Sequence, residues 1–126
     1  QAAGSHSTTN TGKTPVEVVL VEMKKAPGSA PLPSARPGMK MTPLLEDARL
    51  SAHRVSADSS FQEAAGTTHP YDQVVIALAG GDIALTMDGK TTSTWKRGDV
   101  RLIGRGVPHE TKGGKAPSEM IIVAVK

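Results

Sequence analysis

His69, Tyr71 and Gln73 alternate along the stretch Thr67-Thr68-His69-Pro70-Tyr71-Asp72-Gln73. In an extended chain that spacing sends all three side chains to one face. An imidazole, a phenol and an amide oxygen on one face can hydrogen-bond a ligand or contribute to the shell of a metal ion. Tyr71 reads equally well as a ring filling the interior. Asp72 has the opposite parity and is expected on the surface. A further imidazole, His109, follows Gly106-Val107-Pro108, a turn that can aim it back across the fold. Glu110 comes directly after it and is expected to face away. His53 lies in a stretch of mixed pattern, where Leu50, Ala52 and Arg54 share one face and Ser51, His53 and Val55 the other. It joins the site if its face is the inner one and otherwise packs or meets solvent. Glu63 reads as a loop residue at the rim, within reach of the mouth. Trp95 reads as packing between sheets, with a ligand platform as the alternative, Arg101 shares the parity of Asp99 and Ile103, which leaves a lumen role open, and His6 reads as solvent-exposed.

Composition excludes several kinds of chemistry. The 126 residues fit one domain. There is no Cys, so disulfides, thiolate metal sites and Cys nucleophiles are absent. No apolar run is long enough for a membrane-spanning helix. The net charge is +3, and Phe61, Tyr71 and Trp95 are the whole aromatic inventory. A single-strand nucleic-acid binder stacks bases on several rings, so no nucleic-acid partner is expected. The chain has no Gly-Xaa-Ser-Xaa-Gly elbow, phosphate loop or dinucleotide fingerprint.

The elements that would position these residues read as strands. Thirteen Gly and nine Pro suit many turns. Residues 1–14 are small and polar and read as a flexible tail. Val16–Met23 is β-branched and of strand length, with both faces largely apolar, which suggests pairing with a second subunit. Residues 24–43 carry Pro27, Pro31, Pro33, Pro37 and Pro43. These forbid a helix or a central strand and predict an extended connector lying over the body. From Leu44 onward strands are expected at Ala48–Ser56, Gln73–Leu78, Ile83–Met87, Lys90–Lys96, Val100–Ile103 and Met120–Val125. Gly80-Gly81 ends the second of these, and Asp88-Gly89 marks a type I′ hairpin. Residues 104–113 read as loop. The pattern predicts an all-β sandwich or small barrel over residues 44–126, with the mouth as the natural pocket.

Two stretches carry a family resemblance. Gly66-Thr67-Thr68-His69-Pro70-Tyr71-Asp72-Gln73-Val74-Val75-Ile76-Ala77-Leu78-Ala79-Gly80 resembles the first motif of the cupins, and Arg97-Gly98-Asp99-Val100-Arg101-Leu102-Ile103-Gly104-Arg105-Gly106-Val107-Pro108-His109 resembles the second. The resemblance covers roughly residues 45–125. It implies a cupin-type double-stranded β-helix, the jelly-roll barrel. It also implies a metal-ligand set, in which His69 and His109 stand at histidine positions and Gln73 at the carboxylate position. Thr67 falls where the family has its first His, and Phe61 where the motif opens with Gly, so the first motif is degraded. Two imidazoles and one amide oxygen would hold a divalent ion weakly: Zn, Mn, Fe, Ni or Cu. Thr67, Tyr71 and His53 are then candidates for contacting a ligand.

The resulting expectation is a small-molecule-binding barrel with the ligand in its lumen, assisted by metal if the weak site fills. The alternative is a metal-dependent enzyme of dioxygenase, isomerase or lyase type using His69, Gln73 and His109. A third reading is a dimerisation module in which residues 15–43 wrap a partner. The resemblance makes a homodimer the default, with Val16–Met23 at its interface. The chain begins at Gln1, not Met, so its polar start reads either as a mature terminus after signal-peptide removal or as a trimmed chain. The expectation is an exported bacterial protein, periplasmic or secreted.

Overall fold

The computed structural model describes residues 5–23, 28, 31, 33–79 and 81–126. Among these there are nine strands and no helix. Residues 1–4 of the expected tail, Pro27, and Gly80 of the expected Gly-Gly turn lie outside the described residues.

The strands are β1 Met39–Glu46, β2 Leu50–Ala57, β3 Gln62–Thr67, β4 Asp72–Ala77, β5 Ala84–Met87, β6 Lys90–Thr92, β7 Val100–Ile103, β8 His109–Lys112 and β9 Ser118–Val125. They form two antiparallel sheets, one of order β1-β2-β9-β4-β7 and one of order β3-β8-β5-β6. This is the expected all-β jelly roll. Inner faces meet in a core that includes Val55, Phe61, Val75, Leu85, Trp95 and Ile122. The Trp95 indole N–H donates to the Ile83 carbonyl at 2.8 Å, which satisfies its one buried donor. The Arg101 guanidinium lies over that ring, 5.4 Å from its centroid. Asp88 and Gly89 have φ of 52° and 72°, the two positive values a type I′ turn requires.

Four expectations need correction. Val16–Met23 forms no strand, and Val16, Val18 and Leu20 are exposed. Among the described residues the stretch pairs with no strand, so its β-branched residues have no ladder to join there. Strand β1 begins at Met39, inside the expected connector, and contains Pro43. Proline is tolerated there because β1 is an edge strand, and the register shifts between Pro43 and Leu45. Residues 104–113 are not all loop, since β8 occupies His109–Lys112. Strand β3 was likewise not expected. It places Glu63 within a strand rather than in a rim loop.

On its outer side the larger sheet carries an apolar row running Leu102, Val74, Val123, Ala52, Leu45 across five strands. Leu45 and Leu102, at the two ends, are exposed.

Candidate metal and ligand site

Strands β3 and β8 build the floor of the site. Glu63 stands directly opposite Thr111, and Thr67 opposite His109. Along β8, His109 and Thr111 are buried while Lys112 is exposed, so the inward face of that strand is polar. The β3 register shifts between Glu63 and Thr67, where Gly66 takes φ of 85°, a backbone conformation that favours glycine. The Thr67 hydroxyl donates to the Ala64 carbonyl across this bulge at 2.6 Å.

His69 comes from the extended link between β3 and β4. That link is fixed by the Gly106 amide, which donates to the His69 carbonyl at 2.9 Å, and by the Arg105 amide, which donates to Asp72 Oδ1 at 2.8 Å. The expected shared parity of His69 and Tyr71 is visible as parallel rings 5.2 Å apart. The His69 and His109 rings are 4.9 Å apart.

The carboxylate at the centre is Glu63. Its side chain is 6 % exposed. Oε2 accepts from His69 Nε2 at 2.9 Å and from the Arg36 guanidinium. Oε1 accepts from the Thr111 hydroxyl at 2.8 Å. Burial pushes this carboxyl up, but the donors from His69, Arg36 and Thr111 outweigh burial and hold it down at about 2. Burial pushes the neighbouring Tyr71 phenol above its ordinary value, so it stays a hydrogen-bond donor at neutral pH.

His109 supplies the most telling atom. Nδ1 lies 3.1 Å from the Val107 carbonyl, which can only accept, so Nδ1 carries a proton, and in the neutral ring Nε2 is the nitrogen with the lone pair. Nε2 is buried, has no hydrogen-bond partner, and lies 3.4 Å from Glu63 Oε1. That gap between a ring nitrogen and a carboxylate oxygen is a place where a proton or a metal ion can sit. Ligand atoms of Glu63, His69 and His109 lie within 4.8 Å of one another. Atoms bound to one ion at about 2.1 Å sit about 3.0–3.5 Å apart, so small adjustments suffice. Two histidines and one carboxylate suit a first-row divalent ion with positions left open.

Arg36 reaches the site from the segment preceding β1. Its carbonyl accepts from the Met39 amide at 2.9 Å. With Pro37 and Gly38 at the central positions and Gly38 at φ of 76°, this is a type II turn. A Cβ on Gly38 would collide with the backbone of Phe61. The Arg36 guanidinium also lies 5.4 Å from the centroid of the Phe61 ring.

The other residues singled out from the sequence are placed as follows. Gln73 is buried on β4 and lines the lumen together with Glu63 and Thr111. The carboxylate gathered with the two imidazoles comes from Glu63. His53 is on the inner parity of β2 with Ser51 and Val55, its Nδ1 buried without a partner, and it stands apart from the His69–Glu63–His109 group. Sequence reasoning underrated Glu63 and missed Arg36. The signal for Glu63 would have been a strand register pairing it with the inward face of His109 and Thr111. For Arg36 the only signal is an Arg opening a Pro-Gly turn.

The lumen itself is filled. Its free volume is about 40 Å³, room for a few waters. A larger space of about 220 Å³ lies at the mouth, between Pro31, Pro33, Ser34 and Arg36 on one side and His69, Pro70 and Tyr71 on the other. A small molecule therefore has more room at the mouth than in the lumen where it was expected.

Solved structures with the same architecture are cupins. A cupin domain from Bordetella pertussis aligns over 75 % of this chain and 99 % of its own, with a TM-score of 0.56 and 19 % identity. An RmlC-like cupin from Shewanella frigidimarina aligns over 76 % and 83 %, with a TM-score of 0.62 and 18 % identity. The polyketide cyclase RemF from Streptomyces resistomycificus aligns over 71 % and 66 %, with a TM-score of 0.60 and 18 % identity. The fold is thus the cupin fold, as the two sequence motifs imply. No family model matches the sequence, and no curated protein matches it.

Proposed function

We propose that this protein binds a small molecule at the mouth of its barrel, around a divalent transition-metal ion held by Glu63, His69 and His109. The observation that carries this reading is the buried His109 Nε2, without a hydrogen-bond partner and grouped with His69 and Glu63. Gln73, on the adjoining wall, is a further donor within the same interior. When bound, such an ion would act as a Lewis acid toward the ligand. Among the protein's own groups, His69 and Tyr71 wall the ligand space and Thr111 orients the carboxylate.

An enzymatic role is the second reading, of dioxygenase, isomerase or lyase type. It is favoured by the three-donor set Glu63, His69 and His109 and by the 220 Å³ space that His69 also lines, and structural neighbours include a polyketide cyclase. Turnover that vanishes in His109→Ala would establish it. Association of two copies is a separate proposal, supported by the apolar row that ends in exposed Leu45 and Leu102. Sedimentation at working concentration tests it, and a monomer removes it.

The deciding experiment is metal content of untagged protein prepared without chelator, beside the double variant His69→Ala/His109→Ala. About one metal ion per chain, lost in the variant while the fold is retained, is the expected result. Wild-type protein that stays metal-free in titrations with Fe(II), Mn, Ni, Cu and Zn overturns the metal-assisted reading.

A further inference from the structure

Among the described residues Arg36 is the one Lys or Arg that touches the Glu63 carboxylate, and it does so on the same oxygen that accepts from His69. With no metal bound, the guanidinium and the carboxylate balance. A divalent ion between Glu63, His69 and His109 would draw on that carboxylate and change the count. Arg36 and the ion would then share one anion, leaving two positive charges in excess beside a buried carboxylate and two largely buried imidazoles, with the Arg36 side chain 33 % exposed. Excess charge in a poorly solvated site is costly unless a further anion enters.

The place for that anion is already formed. Arg36 lines the mouth cavity, and the other polar side chains there are Ser34, His69 and Tyr71. Among the described residues no acidic side chain lines this space. The guanidinium fork is held in place by the Arg36-Pro37-Gly38-Met39 turn and by the Phe61 ring beneath it. What it grips in the structure is a carboxylate, and a planar carboxylate is what such a fork fits best.

Resting on the metal-assisted reading above, we propose that Arg36 is an exchangeable clamp that makes this protein a binder of small carboxylates. Without metal it holds Glu63. With metal it releases Glu63 to the ion and takes the carboxylate of the ligand in the mouth cavity. Metal and carboxylate ligand therefore bind with positive coupling, and Arg36 is the specificity-determining residue for the anionic group.

The test uses calorimetric titration with Co(II), whose visible absorption reports the coordination directly, then with succinate and with inorganic phosphate. Arg36→Met keeps a stem over Phe61 and removes the charge, while Arg36→Lys keeps the charge and loses the fork. Co(II)-loaded wild type is expected to bind succinate about tenfold or more tightly than the metal-free protein, and more tightly than it binds phosphate. Arg36→Met should bind Co(II) at least as well as wild type, since a competitor for Glu63 is gone, yet lose that succinate affinity. Arg36→Lys should recover part of it. Equal succinate binding by Co(II)-loaded wild type and Arg36→Met overturns the clamp while leaving the metal site standing. Preference for phosphate overturns the ligand class. Absence of Co(II) binding in wild type and both variants overturns the metal-assisted reading, and the clamp with it.

Discussion

Glu63 should make the metal-free fold sensitive to acid, and the size of the effect follows from its surroundings. Its carboxyl is held at about 2 against an ordinary value of 4.5. The folded protein then binds fewer protons than the unfolded chain between those two values, so the stabilisation is complete above pH 4.5 and is lost as pH falls toward 2. The full contribution is about 3 kcal/mol, at about 1.4 kcal/mol per unit, and most of it is gone by about pH 2.5. The comparison is between wild type and Glu63→Gln, each unfolded in urea at a series of pH values in the presence of chelator. Fluorescence of Trp95, the single buried tryptophan, follows the transition. Asp47 and Asp58 also have lowered carboxyls, held by backbone amides of Arg49 and Leu50 and by Ser60. They are present in both proteins and cancel in the difference. Wild type should lose about 2–3 kcal/mol more than Glu63→Gln on going from neutral pH to about pH 2.5. Parallel pH profiles for the two proteins would refute the account of Glu63 as a buried carboxylate stabilised by Arg36, His69 and Thr111.

Three further predictions come from neighbouring contacts. Thr111→Val removes a donor to Glu63 Oε1 at nearly constant volume, so the acid-loss profile should move to higher pH at a cost of about 1–2 kcal/mol at neutral pH, read by the same urea series. Gly38→Ala puts a Cβ against the Phe61 backbone at positive φ. It should destabilise by more than about 1 kcal/mol and reproduce the metal-loaded carboxylate-binding defect of Arg36→Met in calorimetry. Trp95→Phe keeps an aromatic ring but leaves the Ile83 carbonyl without its indole donor, and should lower stability by about 1–3 kcal/mol in thermal unfolding without changing metal content.

How much of this was legible in the sequence depends on the strand. Where one face is buried in an apolar core, the alternation of residue types reports the fold, and β4, β5, β7 and β9 were found close to their true bounds. The Asp88-Gly89 hairpin was legible because positive φ restricts residue choice at both central positions. His69, Tyr71 and His109 were legible from parity and from the two motifs. Strands β3 and β8 read Gln-Glu-Ala-Ala-Gly-Thr and His-Glu-Thr-Lys. Their inward positions hold the polar groups of the site, so the apolar period that signals a strand is missing where the site is built.

The sequence by itself determined an all-β chain, the cupin-like motifs and two imidazoles that could share a site. Tertiary structure alone decided which carboxylate joins them. Glu63 meets His109 and Thr111 through cross-strand pairing at a separation of 48 residues to Thr111, and Arg36 arrives 27 residues from Glu63 through a turn outside the barrel. Local periodicity carries no information about such pairings, because register and strand order are set by burial of the whole core rather than by any one segment.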